Sequence, residues 1–338
     1  MHRNAVRRFA RAGAALVAAL VVGAGLLVEP ANAHPRPPED RAGYVAMGDS
    51  YASGEGLPPF ADGTVGPGQC HRSVADSYPV RLTESGRRSF GDLTSVACSG
   101  AITADLLATR PGTTRAPQIA ALTARTRTVT VTVGGNDAGF GLIFADCVYS
   151  PDAQLAAALP GRPGCADRDE ALVSARIAAL SGTPGAPSVP GVVPLPTAVG
   201  QIAAAAPKAT IYLTGYPSIF GRKTTNRAGC LVSSQAPLFV TGSDAAWIRS
   251  KAAELNRVIK TTAALARARG MDVRYVDAAR AFRGHDLCDA RSPWLNGVVL
   301  SSLAPPQISP ATFHPTERGQ RAYADAVLDE RHRRPGRS

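Results

Sequence analysis

Four short stretches of this chain hold residues whose types suit acyl-transfer chemistry. The first is AMGDSYASGEG, residues 46–56, where Ser50 stands between an aspartate and a tyrosine after a short apolar run. A serine hydroxyl is a weak nucleophile at neutral pH and needs a neighbouring base. Gly, Asp and Ser also suit ordinary turns, so the tripeptide alone does not separate a nucleophile from a turn hydroxyl. Asp49 need not act chemically, since its side chain suits bracing that turn. The second stretch is GGND, residues 134–137, whose Asn136 offers an amide donor. The third is ACSGA, residues 97–101, where Gly100 lets a bare backbone N–H approach a ligand closely. The fourth is ATFHPTERGQ, where His314 precedes Pro315. A histidine takes a proton near neutral pH and returns it, and amide and backbone donors stabilise the oxyanion of a tetrahedral intermediate.

The elements around these stretches place them on one edge. YVAM before Gly48 and the β-branched TVTVTV of 128–133 read as buried strands, and TIYLTG from Thr210 and DVRYVD from Asp272 repeat the pattern. LTSVA before Cys98 is strand-like too. Between them, DAAWIRSKAAELNRVIKTTAALARARG has Ala246, Ile248, Leu255, Val258, Ile259 and Ala263 at helical spacing, with Gly270 as its stop. Strands alternating with helices predict a parallel sheet covered on both faces. Ligands of such sheets sit beyond the carboxyl ends of the strands, where Ser50 and GGND both fall. Residues 181–197 are too rich in Pro and Gly for a regular element, and residues 292–313 form a long apolar loop leading to His314. Trp294, Leu295, Val298, Val299 and Leu303 in that loop are candidates to cover an acyl chain. Pro315 suits the first helical position after His314.

GDS, a glycine, GND and a late His before Pro, in this order, resemble the SGNH or GDSL hydrolases over nearly the whole chain. GDSYASGEG, CHRSVADSYPVRL and VTVGGNDAGF are most similar to the secreted bacterial lipases and esterases of that family with six cysteines. The resemblance implies a three-layer α/β/α sandwich with a flavodoxin-like parallel sheet. It makes Ser50 the nucleophile, His314 the general base, and Ser50 N–H, Gly100 N–H and the Asn136 side chain the oxyanion hole. It also implies the pairs Cys70–Cys98, Cys147–Cys165 and Cys230–Cys288. The GxSxG elbow of the α/β-hydrolases does not occur. The family commonly has an aspartate three residues before the histidine, where this chain has Ala311. The Ala311 carbonyl is the candidate to orient His314, with Asp286 or Asp289 folding into place as the alternative; Asp277 lies in the same region.

Composition bounds the rest. Arg3, Arg7, Arg8 and Arg11 precede an apolar run, and ANA ends at Ala33, which reads as a cleaved signal peptide over 1–33. A linker over 34–43, a hydrolase domain over 44–330 and a basic tail over 331–338 follow. The formal charge of +11 falls to +8 without the leader. The arginines are scattered and no aromatic-basic recognition motif appears, so no nucleic-acid partner is expected. The reading is a secreted monomer with no stable membrane span and no cofactor. Six cysteines suit disulfides in an exported chain, and without close Cys pairs or HExxH no metal is expected. The function expected is a lipase or esterase. A phospholipase or carbohydrate acetyl esterase on the same site is the alternative, and a non-catalytic secreted binding module the more distant one.

Overall fold

The computed structural model describes residues 43–84, 90–158, 164–225, 229–288 and 291–333. The expected leader, the linker up to residue 42, Asp289 and residues 334–338 lie outside the described residues. The described segments belong to the unit that runs from Asp40 onward.

Nine described strands follow in chain order: β1 (Gly43–Gly48), β2 (Asp92–Ser95), β3 (Thr126–Thr132), β4 (Thr210–Thr214), β5 (Gly229–Leu231), β6 (Phe239–Thr241), β7 (Val273–Val276), β8 (Leu300–Leu303) and β9 (Pro306–Ile308). Five of them form a parallel sheet in the order β2-β1-β3-β4-β7. The chain runs from β1 outward to β2, then crosses to β3 on the other side of β1. That reversal opens a crevice at the carboxyl ends of β1 and β3, where an open α/β sheet binds its ligand. Every strand of this parallel sheet lies where a sequence pattern predicts one, whereas the hairpins β5-β6 and β8-β9 are not predicted from the sequence.

β1 is buried from Tyr44 onward, as suits a strand inside a sheet with both faces covered. β3 alternates Thr and Val, and its hydroxyls find partners inside the core. Tyr44 Oη lies 2.9 Å from Thr130 Oγ1, Tyr78 Oη 2.9 Å from Thr132 Oγ1, and Thr132 Oγ1 2.7 Å from Thr214 Oγ1. Buried hydroxyls that are paired cost little, whereas unpaired ones are expensive. The long helix Gly242–Ala268 buries Ile248, Leu255, Ile259 and Ala263 along one stripe, and Gly270 takes a left-handed φ of +84° just past its end. Tyr323 of the helix Glu317–His332 stacks on Tyr78 of the helix Tyr78–Thr83, with ring centroids 5.4 Å apart.

Two local expectations change. The approach to His314 is not wholly irregular: β8 and β9 pair antiparallel within it. Pro315 precedes the last helix rather than opening it, because Thr316 is the N-cap and its hydroxyl accepts from Gly319 N–H.

The three disulfides join Cys70 to Cys98, Cys147 to Cys165 and Cys230 to Cys288. Cys147–Cys165 anchors the turn Ala145–Tyr149 to the start of the helix Cys165–Ser181. It joins residues 18 apart, a loop whose closure restricts the unfolded chain by about 3 kcal/mol. Replacing both cysteines with serine should lower the free energy of urea unfolding by roughly 2–4 kcal/mol, with the far-UV spectrum preserved.

Candidate active site

Ser50 is placed by the end of β1. Gly48 has φ +121°, and a Cβ there would stand 2.0 Å from the Thr132 carbonyl oxygen, so only glycine fits. That same carbonyl accepts from Asp49 N–H at 2.8 Å. Gln118 clamps Gly48 from the other side, accepting from its N–H at 2.6 Å and donating to its carbonyl at 2.9 Å. Asp49 caps the one-turn helix Ser50–Ser53, its carboxylate accepting from Tyr51 N–H at 3.0 Å.

His314 meets Ser50 from the far end of the chain, with its Nε2 2.7 Å from Ser50 Oγ. Its Nδ1 lies 2.9 Å from the carbonyl oxygen of Thr312. A carbonyl only accepts, so Nδ1 carries the proton and Nε2 is free to accept from the serine hydroxyl. Burial lowers the pKa of His314, opposed chiefly by the nearby Glu55 carboxylate and then by the Thr312 and Pro310 carbonyls. The ring is therefore neutral at pH 7.

The expected carbonyl is corrected by one residue. Ala311 O accepts from His314 N–H and from Asn296 Nδ2, both at 3.1 Å, which closes the turn and points that carbonyl away from the ring. The chain can turn so sharply because Phe313 adopts a left-handed φ of +60°. Its carbonyl accepts from Tyr51 Oη at 2.8 Å, tying the histidine segment to the helix that carries Ser50. No aspartate among the described residues replaces Thr312 at Nδ1. Asp277 instead caps the helix Ala278–Ala281, accepting from Arg280 N–H.

Asn136 lies in the short helix Gly135–Ala138 that leaves β3 through Gly134, φ +116°. Its amide donates to Ala101 O at 2.9 Å, which directs the side chain across to the Gly100 loop and leaves a second amide proton. Gly100 has φ +75° and open space around it. Asp137 secures the same helix by accepting from Thr103 N–H and Oγ1, and burial pushes its carboxyl up to about 6.

Ser50, Gly100, Asn136 and His314 line one cavity of about 400 Å³, whose far wall is aromatic and apolar: Phe140, Phe144, Tyr149, Ile219, Ile308 and Phe313. Phe144 and Phe313 meet with centroids 4.3 Å apart. Trp294, Leu295, Val298, Val299 and Leu303 are absent from this lining. Leu295 and Val298 are core residues, Leu303 is exposed, and Trp294 stacks on His285. Trp294 borders a separate cavity of about 630 Å³ with Asp277, Arg280, Arg318 and Asp325, a more polar hollow that contains neither Ser50 nor His314. Among the described residues no three His, Cys, Asp or Glu side chains are grouped to hold a metal ion.

Residues 46–322 match the GDSL-like lipase/acylhydrolase family model. The chain belongs to that family. It is a carboxylic ester hydrolase. It is 30% identical to Lipase 1 of Streptomyces coelicolor over 93% of this chain and 96% of that one, and 31% identical to Lipase 2 over 97% and 98%. Among solved structures, the phospholipase A1 of Streptomyces albidoflavus is similar at 29% identity and a TM-score of 0.61, covering 86% of this chain and 99% of that one. The extracellular lipase of Streptomyces rimosus is similar at 27% identity and a TM-score of 0.60, with the same coverage.

Within this GDSL-type site, sequence patterns did not single out Tyr51, Tyr216 or Glu55. Tyr216 follows β4, and its hydroxyl donates to Asp49 Oδ2 at 2.5 Å while accepting from Gly135 N–H at 3.0 Å. One phenol thus joins the turn of Ser50 to the helix of Asn136. Burial pushes the Asp49 carboxyl up to about 7, with the bonds from Tyr216 and Tyr51 N–H acting against it. The only sequence signal for Tyr216 is its place two residues past a buried strand, after Gly215.

Two outcomes follow. Tyr216→Phe leaves the buried Gly135 N–H unpaired, so it should cost about 1–3 kcal/mol in thermal or urea unfolding and lower kcat. Burial holds the pKa of His314 below the ordinary 6.5, so with His314 as the base the acidic limb of kcat/KM measured against pH should have its midpoint below pH 6.5.

Proposed function

We propose that this hydrolase cleaves acyl esters through a covalent intermediate on Ser50, with His314 as its base. The observation that carries this reading is the 2.7 Å contact from His314 Nε2 to Ser50 Oγ at the wall of an aromatic cavity. Ser50 Oγ attacks the ester carbonyl carbon while its proton passes to Nε2. The carbonyl oxygen becomes an oxyanion, held by Ser50 N–H, Gly100 N–H and the Asn136 amide, each donor supplying about 3–4 kcal/mol. Collapse breaks the C–O bond of the leaving alcohol, which takes the proton from Nε2. Water then attacks the acyl-enzyme, its proton passing to Nε2 and on to Ser50 Oγ as the acid leaves. The Thr312 carbonyl keeps Nδ1 protonated throughout, in the place where many serine hydrolases use a carboxylate.

The cavity suits an acyl chain, because aromatic and aliphatic walls with a few polar groups at one end favour an apolar ligand bearing one reactive carbonyl. Lipid esters are the substrate class, which agrees with the lipases to which the chain is similar. A glycerophospholipid is the second reading, favoured by the likeness to the phospholipase A1 of S. albidoflavus. The N-terminal arginines and apolar run, together with three disulfides, support export with removal of residues 1–33 and action outside the cell. No described helix is long and apolar enough to cross a membrane.

A series of nitrophenyl esters of rising chain length, emulsified triglyceride and phosphatidylcholine separates these substrates. Medium or long acyl esters should be turned over faster than acetate, and Ser50→Ala should abolish every activity while leaving the thermal unfolding curve in place. Acetylated xylan as the preferred substrate, or substantial turnover by Ser50→Ala, contradicts the reading.

A further inference from the structure

His314 is oriented by a neutral carbonyl, so the charge it gains in the transition state has no carboxylate at Nδ1 to answer it. A carboxylate is nevertheless present in the same cavity. Glu55 is buried and lines the cavity with Ser50, Ser99, Gly100 and His314. It is held there firmly, accepting from Ser99 Oγ at 2.5 Å, from Gly56 N–H at 3.1 Å and facing His71 Nδ1 at 2.8 Å. Its loop also covers the position from which the family's usual aspartate is missing. Gly56 has φ +83°, and a Cβ there would stand 2.7 Å from the Ala311 Cβ. The backbone beside Glu55 therefore fills the space that a longer side chain at 311 would enter.

We propose that Glu55 is a positioning residue that acts on His314 electrostatically, supplying from across the cavity the negative charge that an aspartate at 311 would otherwise supply. The inference rests on His314 being the base. A carboxylate in the same partly enclosed cavity favours the imidazolium over the neutral ring, both in the free enzyme and as the proton leaves Ser50. Of the side chains around His314, Glu55 opposes the effect of burial most. The other groups facing these two residues are few. Ser50 and the Tyr51 ring lie against His314, and Asp49, Tyr149 and Tyr216 line the same cavity. His71, Ser99 and, through Ser99, Ser53 lie against Glu55. His71 Nε2 lies 2.9 Å from the Gly66 carbonyl, and Glu55 remains in the cavity lining together with His314. Ser99 directly precedes Gly100, so the same carboxylate steadies the loop that bears the oxyanion donor.

The experiment is the pH profile of kcat/KM for a soluble ester in the wild type and in Glu55→Gln, Glu55→Asp and Ser99→Ala. Glutamine keeps an acceptor for Ser99 but carries no charge, so the acidic limb should move down by about one pH unit and the plateau fall about tenfold. Aspartate keeps the charge but draws it back, giving a smaller shift in the same direction. Ser99→Ala removes a hydrogen bond and no charge, so its limb should stay at the wild-type pH whatever happens to its plateau. An unmoved limb in Glu55→Gln, or an equal shift in Ser99→Ala, overturns the inference and reduces Glu55 to a loop anchor. If glutamine at 55 prevents folding, Glu55→Asp alone decides, since an unmoved limb there also overturns it. His314→Gln separates the underlying reading: turnover and the acidic limb should vanish together, and their survival would refute the base rather than the role of Glu55.

Discussion

The active site depends on how closely β1 and β3 approach at their carboxyl ends. At Gly48 the two backbones are so near that no side chain fits, and the Thr132 carbonyl that excludes a Cβ is the one that holds Asp49 N–H. This contact places Ser50 at the first turn after one strand and Asn136 at the first turn after its neighbour. The Gly100 loop joins them through Cys98 N–H, which donates to Gly48 O at 2.9 Å. Three segments far apart in sequence thus share one backbone junction. The sheet order that reverses at β1 supplies the crevice above it.

His314 is brought to this junction by different means. Its segment turns through a left-handed Phe313 whose ring is sunk among Phe144, Tyr149 and Phe220. A non-glycine residue in that region carries a conformational cost that surrounding contacts must over-determine. The aromatic cluster and the Tyr51 hydroxyl do so here. The aromatic wall of the cavity and the placement of His314 are consequently one structure, because Phe313 belongs to both.

Much of this was legible in the sequence, for definite reasons. Buried parallel strands are apolar or β-branched and end at glycine, so β1, β3 and β4 announce themselves, and the edge strand β7 shows through the alternation of VRYV. Ser50, Asn136 and His314 fall at strand ends or at a loop-helix junction, where ligand-facing groups of such sheets belong. The misreadings share a different character. Thr312 rather than Ala311 orients the ring because of a left-handed Phe313, and nothing in the residue types of ATFHP predicts that turn. The apolar candidates of 294–303 do not line the cavity, among them Trp294, which stacks on His285, while its wall comes from 140–149, where short helices give no strong pattern, and from Ile219, Ile308 and Phe313. Tyr216 and Glu55 act through contacts spanning 167 and 44 residues, which no local motif encodes.

The central claim is that the Ser50 hydroxyl, activated by a neutral His314, is the group that becomes acylated. The most direct measurement is active-site trapping with a fluorophosphonate, followed by peptide mapping and mass analysis of the native enzyme. The account predicts one adduct per chain, on Ser50, that forms only in folded protein and at the rate at which activity is lost. An adduct on another residue, or complete inactivation with Ser50 unmodified, would contradict it.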